Sequence, residues 1–247
     1  MSEKGKVEYD DAYNPLDPYV YNDNTFFKSG IDIDLNPKAT LRLEYNNSDF
    51  DSRYYSTYGS NYFASTETLK LNSKYVFNQN NIAFIGVETK TEEYVGTGSV
   101  SDISYFAQNE FKVNVNTTLL AGFRIDDNDQ FGSHVTYRFT ANHISQQIPG
   151  LIFKASVGSG FRAPGLYELY NPTYGNANLT PETSFGYDLG FINYLSSNVT
   201  FGSTYFKSEL EDLIGGDAPT YVYSVSYTHL RAHETRHDVV CRLLLEK

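Results

Sequence analysis

Tryptophan is absent from the 247 residues, and cysteine and methionine occur once each. Positive charge is scarce, with 19 Lys and Arg against 30 Asp and Glu for a formal net charge of -11. A nucleic-acid binder needs a basic face to neutralise phosphates, so that class is excluded. No run reaches the ~18 consecutive apolar residues of a membrane-spanning helix, which excludes a helical membrane protein. The opening Met1-Ser2-Glu3-Lys4 starts no apolar core of a secretory signal, so none is expected here. What is abundant is aromatic: 22 Tyr and 17 Phe, too many for a disordered chain. These balances leave a β-rich protein, soluble or of the barrel type.

From about residue 24 the chain repeats one unit, an alternating apolar–polar segment of about ten residues followed by a turn. Leu41, Leu43 and Tyr45 share one face while Thr40, Arg42 and Glu44 share the other. Leu119, Ala121, Phe123 and Ile125 oppose Gly122, Arg124 and Asp126 in the same way, and Val135, Tyr137 and Phe139 oppose Thr136 and Arg138. Leu151, Phe153, Ala155 and Val157 oppose Lys154 and Ser156, and Val199, Phe201 and Tyr205 oppose Thr200 and Thr204. Period two at this density specifies strands. Connections alternate in length. Short ones include Asn36-Pro37-Lys38 and Ser196-Ser197-Asn198, and long ones run over 49–60, 127–132, 161–183 and 212–220.

Tight turns on one rim and loops on the other are the pattern of an antiparallel, up-and-down transmembrane β-barrel, with strands apolar outward and polar toward the lumen. A soluble sandwich also alternates. Strands near ten residues, against a soluble mean of ~5–6, and Tyr or Phe near strand ends favour the barrel. The lack of Trp, which usually joins Tyr at membrane interfaces, weighs the other way. The expectation is an all-β barrel fragment of about 10–11 strands over 24–224, preceded by a loop remnant at 1–23 and followed by a non-native tail at 225–247.

The tail differs in texture, holding His229, His233, His237 and Cys241. It resembles the conceptual translation of a transposon-based sequencing adapter, nearly letter for letter. Within it His233-Glu234-Thr235-Arg236-His237 spells H-E-x-x-H, which on a helix puts two imidazoles on one face for zinc with Glu as general base. The adapter resemblance accounts for these letters without zinc chemistry, and no helical scaffold is evident upstream. No metal site and no cofactor are expected. Asp126-Asp127-Asn128-Asp129 clusters oxygens, yet its glycine comes at 132, outside the EF-hand spacing, so a solvated rim loop is expected. Isolated His134 and His143 are expected to be structural.

One segment is more specific. Phe161-Arg162-Ala163-Pro164, Glu168-Leu169-Tyr170, Gly175-Asn176, Asn178-Leu179 and Pro181-Glu182 follow one another between two strands. This run resembles the strand–loop–strand segment of TonB-dependent outer-membrane receptors, and residues 100–222 resemble their vitamin B12 (cobalamin) branch. The resemblance implies no enzymatic activity. It implies energy-coupled uptake of a scarce large ligand through a barrel of ~22 strands filled by a plug, with cobalamin ahead of an iron-siderophore or haem. It also implies outer-membrane location, a lipid surround and a TonB coupling complex whose contact region is not among these residues. A non-transporting adhesin or carbohydrate-binding module is the rival from another class. Physically, the prolines hold the preceding residues extended, Gly175 is expected to supply positive φ, and Arg162 and Glu182 form a rim ion pair if the loop folds back. By alternation Arg42, Arg124, Arg138 and Lys154 face the lumen, where they would meet acidic groups of plug or ligand.

Overall fold

The computed structural model describes residues 2–8, 19–55, 61–94, 98–217, 220–226 and 230–241. Apart from one five-residue helix, every regular element is a strand. In chain order these are β1 (Ser2–Glu8), β2 (Tyr19–Asn36), β3 (Ala39–Tyr55), β4 (Tyr62–Asn78), β5 (Asn81–Tyr94), β6 (Gly98–Asn114) and β7 (Thr117–Asn128). There follow β8 (Gly132–Ile144), β9 (Leu151–Arg162), helix α1 (Leu166–Tyr170), β10 (Glu182–Tyr194), β11 (Val199–Glu211), β12 (Leu213–Asp217), β13 (Val222–Ser226) and β14 (Leu230–Cys241). Twelve strands form one sheet in the order β1 to β11, then β14, and β12 with β13 forms a separate hairpin. Sequential neighbours pair antiparallel throughout, the meander expected from the alternation. Among the described residues the sheet stays open, with β1 and β14 as its edges.

The alternation resolves into two unlike faces. One is apolar and uncovered: Phe27, Ile31, Leu43, Leu71, Ile85, Phe123, Phe139, Phe153, Leu189 and Phe201 are all exposed, Phe123 to 50%. The other is polar and cross-linked. The only described hydrophobic cluster is small and lies at one rim, where Tyr94, Val100 and Leu166 are buried together. A sandwich would bury the apolar face against a second sheet. Among the described residues nothing covers that face.

The tight-turn rim shows how local chemistry sets register. Asn36, Asn78 and Asn114 each accept, through Oδ1, the backbone N–H two residues on, from Lys38, Asn80 and Asn116 at 2.8–2.9 Å. Each Asx turn coincides with a register shift, between Asp34 and Asn36, Val76 and Asn78, and Lys112 and Asn114. Three successive hairpins thus share one turn design, in which the asparagine side chain supplies a turn bond to the backbone two residues on.

Strand lengths depart from the ten residues expected. β2, β3, β4 and β6 run 17–18 residues, whereas β7 to β11 run 12–13. Residues 49–55, expected as loop, continue β3, and 2–8 and 19–23, expected as loop remnant, are strand. The reason is that apolar alternation marks only the middle of these strands. Beyond it Asn47, Asp49 and Asp51 stand at the positions where apolar residues would alternate, and the strand goes on without that signal.

Candidate functional site

The long-loop rim is where the polar face becomes a site. Residues 163–181 leave β9 and return to β10 as a strap that crosses the polar face. Its helix, α1, reaches back to β5 and β6 and packs Leu166 into the cluster with Tyr94 and Val100, flanked by Tyr62, Tyr167 and Tyr170. Tyr167 lies against Tyr62 and Tyr94, with ring centroids 5.9 and 6.4 Å apart. Gln130 donates to the Tyr170 hydroxyl at 2.6 Å. The strap is therefore seated on strands three and four places away from the one it leaves.

Arg162 ties the near end. It is the direct cross-strand neighbour of Glu182, so their pairing follows from register and needs no folding back of the loop. Its guanidinium meets Glu182 at 2.7 and 2.8 Å and Glu168 of α1 at 3.0 and 3.2 Å, one fork to each carboxylate. Glu168 also accepts the Gly165 N–H at 2.6 Å, which caps the helix. Glu182 accepts the Ile214 N–H of β12 at 2.8 Å. The cluster stands at the long-loop end of β9, twelve residues of strand from Leu151, which on a tilted strand is roughly 30 Å and so outside a ~25 Å apolar band of the kind a transmembrane barrel carries. There the Arg162 guanidinium, reinforced by the Ile214 N–H, holds the Glu182 carboxyl below the usual carboxylate range. Glu182 first, then Glu168, holds the Arg162 guanidinium above its ordinary value.

The remaining motif residues shape the strap. Pro164, Leu169 and Leu179 are buried. Asn176 takes four bonds: its N–H to the Glu168 carbonyl at 2.8 Å, its Nδ2 to the Tyr223 carbonyl at 2.9 Å, the Asn178 N–H onto its Oδ1 at 3.0 Å, and the Leu179 N–H onto its carbonyl at 3.4 Å. Gly175 is needed for a different reason from the one expected. Positive φ occurs at Gly132 and Gly150 and not at Gly175. A Cβ on Gly175 would instead stand 2.6 Å from the backbone N and O of Asn171. Ala163 and Tyr170 complete the run, Phe161 stacks on His134 at 3.9 Å, and the His134 ring contacts the Phe131 carbonyl at 3.0 Å. His143 lies 2.9 Å from the Thr117 hydroxyl.

Beneath the strap lies a cleft of about 540 Å³ walled by β5 to β9 and roofed by 161–166. Each of its cations meets at least one carboxylate. Lys90 meets Glu92 at 2.9 Å, and Arg124 meets Asp126 at 2.7 Å and Glu88 at 2.8 Å. Ser104, 2% exposed, donates to Asp126 at 2.6 Å and accepts from Arg124 at 2.7 Å. Asp102 accepts from the buried Asn128 at 2.6 Å. The 126–129 run is thus not a solvated loop. Asp126 and Asn128 lie on β7 and face this network, while Asn128 Oδ1 also holds the turn through the N–H groups of Gln130 and Phe131. Of the four lumen-facing cations, Arg42 pairs with Glu44 and Asp32 and Arg124 joins the cleft. Arg138 and Lys154 are exposed on the same face with no carboxylate partner among the described residues. A larger hollow of about 660 Å³ opens on the other face, lined by Phe111, Leu119, Phe139 and Leu189, and lacks converging polar groups.

Asp102 and Ser104 went unread in the sequence, and Asn128 was read only as part of an oxygen-rich rim loop. Alternation alone places Asp102 and Ser104 with Phe106 on the polar face, but only the pairing of β6 with β7 brings them to Asn128 and Asp126. The H-E-x-x-H letters fall in β14, a strand paired with β11, where His233 aligns with Lys207 and His237 with Ser203. Positions four apart on a strand are separated by ~13 Å, too far for one zinc ion. Among the described residues no group of three or more His, Cys, Asp or Glu could hold a metal.

Comparison with known proteins places this geometry. The family model described as "TonB dependent receptor-like, beta-barrel" matches residues 4–231. Over 105 residues, 42% of this chain, the sequence is 38% identical to the vitamin B12 transporter BtuB of Vibrio cholerae serotype O1, a stretch that is 17% of that protein. Among solved structures, a mutant of the ferric enterobactin receptor PfeA from Pseudomonas aeruginosa aligns with a TM-score of 0.69 at 15% identity, covering 90% of this chain and 41% of that one. The copper transporter OprC aligns with a TM-score of 0.70 at 12% identity, covering 95% and 46%. At such identities the structural likeness speaks for the fold alone.

Proposed function

This chain belongs to the TonB-dependent receptor β-barrel family, a family of transporters and receptors, and from that premise we propose that it walls the ligand vestibule of an outer-membrane receptor for cobalamin. The observation that carries the reading is that every cation lining the cleft under the strap is already paired with a carboxylate. Lys90, Arg124 and Arg162 each face a carboxylate of their own. A polyanionic iron chelate would call for unmatched cations. A large neutral ligand rich in amides asks instead for a hydroxyl that both donates and accepts beside apolar surface, which Thr136 with Phe161 and Ala163 offers. The 38% identity to a vitamin B12 transporter supports the same choice.

The remaining partners follow from the two faces. The uncovered apolar face would lie in outer-membrane lipid, since an unpaired apolar surface of this size is stable only against hydrocarbon. Energy would come from a TonB complex acting on parts of the receptor beyond these strands. Residues 225–247 we take to be foreign to the receptor. β14 can still pair with β11 because a strand edge accepts the backbone of almost any sequence.

An iron-siderophore receptor of the same fold is the second reading, favoured by the exposed and unmatched Arg138 and Lys154 lower on the polar face. Binding of cyanocobalamin and of a ferric catecholate to cells producing the intact receptor would separate the two. Cobalamin binding that is lost on filling the cleft with Thr136→Trp is expected. Catecholate binding abolished by Arg138→Gln with Lys154→Gln would replace the first reading by the second.

A further inference from the structure

Resting on the reading that a neutral, amide-bearing ligand enters the cleft, we propose that Asp102 is a specificity-determining residue of its wall, taking a hydrogen bond from a ligand N–H through Oδ2. Asp102 is half-buried and lines the cleft, and among the carboxylates lining it Asp102 alone forms no ion pair among the described residues. Lys90 stands directly opposite it on β5, yet the Lys90 ammonium turns to Glu92 at 2.9 Å. Arg124 is held by Asp126 and Glu88, and Arg162 by Glu182 and Glu168.

A turn aims this carboxylate. Asn128 Oδ1 accepts the N–H groups of Gln130 and Phe131 at 3.0 and 2.9 Å, which fixes the amide and directs its Nδ2 to Asp102 Oδ1 at 2.6 Å. Asp102 Oδ2 has no partner among the described residues. A purely structural position would be served as well by asparagine, whose amide oxygen accepts the same bond without burying a charge. The charge is costly here. Asp102 is level with Asn128, twelve residues of strand from Thr117, and so stands outside the apolar band at the height of Arg162. Burial holds its carboxyl above the ordinary 3.8, against the pull of Asn128 and Lys90, while Glu92 and Asp126 add to the rise. A ligand N–H relieves that cost. A cationic group could do so only by standing among Lys90, Arg124 and Arg162, and an anionic group would meet Asp102 itself. The wall therefore favours a neutral donor.

The test is equilibrium binding of cyanocobalamin to the intact receptor carrying this segment, reconstituted in lipid. Asp102→Asn keeps the shape and removes the charge, and affinity is expected to fall about 10- to 100-fold. Binding needs Asp102 ionised, so the parent's affinity falls as the pH drops through the titration of this carboxyl, and Asp102→Asn lacks that step. The monocarboxylic acids of cyanocobalamin, each with one peripheral amide replaced by a carboxylate, give a readout that needs no variant. In the parent, the acid altered at the amide that meets Asp102 binds more weakly than the others, and Asp102→Asn narrows the gap. Unchanged affinity in Asp102→Asn, with binding still lost in Thr136→Trp, would overturn the role of Asp102 and leave the ligand reading standing. Equal affinities of the parent for all the monocarboxylic acids would overturn it as well, even should Asp102→Asn fail to fold. Cyanocobalamin binding that is absent from the parent, or indifferent to Thr136→Trp, would overturn the ligand reading and this role with it.

Discussion

The two halves of the sheet solve the same problem differently. β2 to β4 and β6 carry their hydrogen bonding on for 17–18 residues and raise a tall wall, whereas β7 to β11 stop after 12–13 and spend their remaining chain on the strap and hairpin. The tall half supplies the seat for α1, and the short half supplies what sits on it. The difference teaches that in such a sheet the lipid dictates only a middle band. Within it every strand must alternate, since an apolar face in water or a charged face in hydrocarbon is costly. Above it a strand persists only if its neighbours go on pairing, and the chain is free to build a wall or a roof.

The largest effect that would break this comparison concerns the open edges. An open sheet in lipid leaves unpaired N–H and C=O groups, each costing several kcal/mol, so the 247-residue chain alone is expected to aggregate and not to insert. Sucrose-gradient flotation with lipid vesicles checks this. A soluble monomer with sharp thermal unfolding would refute it.

Next comes depth along one face. Leu43→Arg on β3 lies within the band and is expected to cost about 2–4 kcal/mol in the intact receptor, while Asn47→Arg on the same outward face, above the band, costs ~0–1 kcal/mol. Unfolding from lipid vesicles by denaturant measures both. Equal costs would mean that the tall wall is in lipid along its whole length.

The strap gives two smaller effects. Gly175→Ala drives a Cβ into the Asn171 backbone and is expected to cost about 1–3 kcal/mol locally, seen as faster proteolysis within 171–180 with the barrel intact. The pH effect has a definite sign. The Glu182 carboxyl is held below its ordinary 4.5, so its contribution is complete above that value and is lost as pH falls below it. Proteolysis within 171–180 should quicken in that acid range in the parent and show no such step in Glu182→Gln. The smallest effect is a null one: products 1–224 and 1–247 should carry equal, negligible zinc by atomic emission.

How much of this was legible in the sequence follows from the same physics. Alternation such as that of Leu119 to Asp126 disclosed strand, face and barrel at once, because lipid on one side enforces it. The Phe161–Arg162–Ala163–Pro164 to Pro181–Glu182 run marked the strap, and Arg162 with Glu182 could be paired because both end their strands. Asp49 to Tyr55 could not be read as strand, since its apolar residues, Phe50, Tyr54 and Tyr55, do not alternate. The meeting of Ser104, Arg124 and Glu88 also stayed hidden, for it depends on the registers of β5, β6 and β7 together. Gly175 was singled out correctly as a constrained position and for the wrong reason, crowding being invisible without the neighbouring backbone.

The most direct test of the two-faced sheet is site-directed spin labelling along β7 of the intact receptor in lipid, residue by residue from Leu119 to Asp126. Collision with oxygen, which concentrates in hydrocarbon, should peak at Leu119, Ala121, Phe123 and Ile125. Collision with a water-soluble nickel chelate, or immobilisation against the barrel's contents, should peak at the residues between. Oxygen and nickel both excluded from the Phe123 side would mean that this side lies in a dry protein interior, and the account would fail.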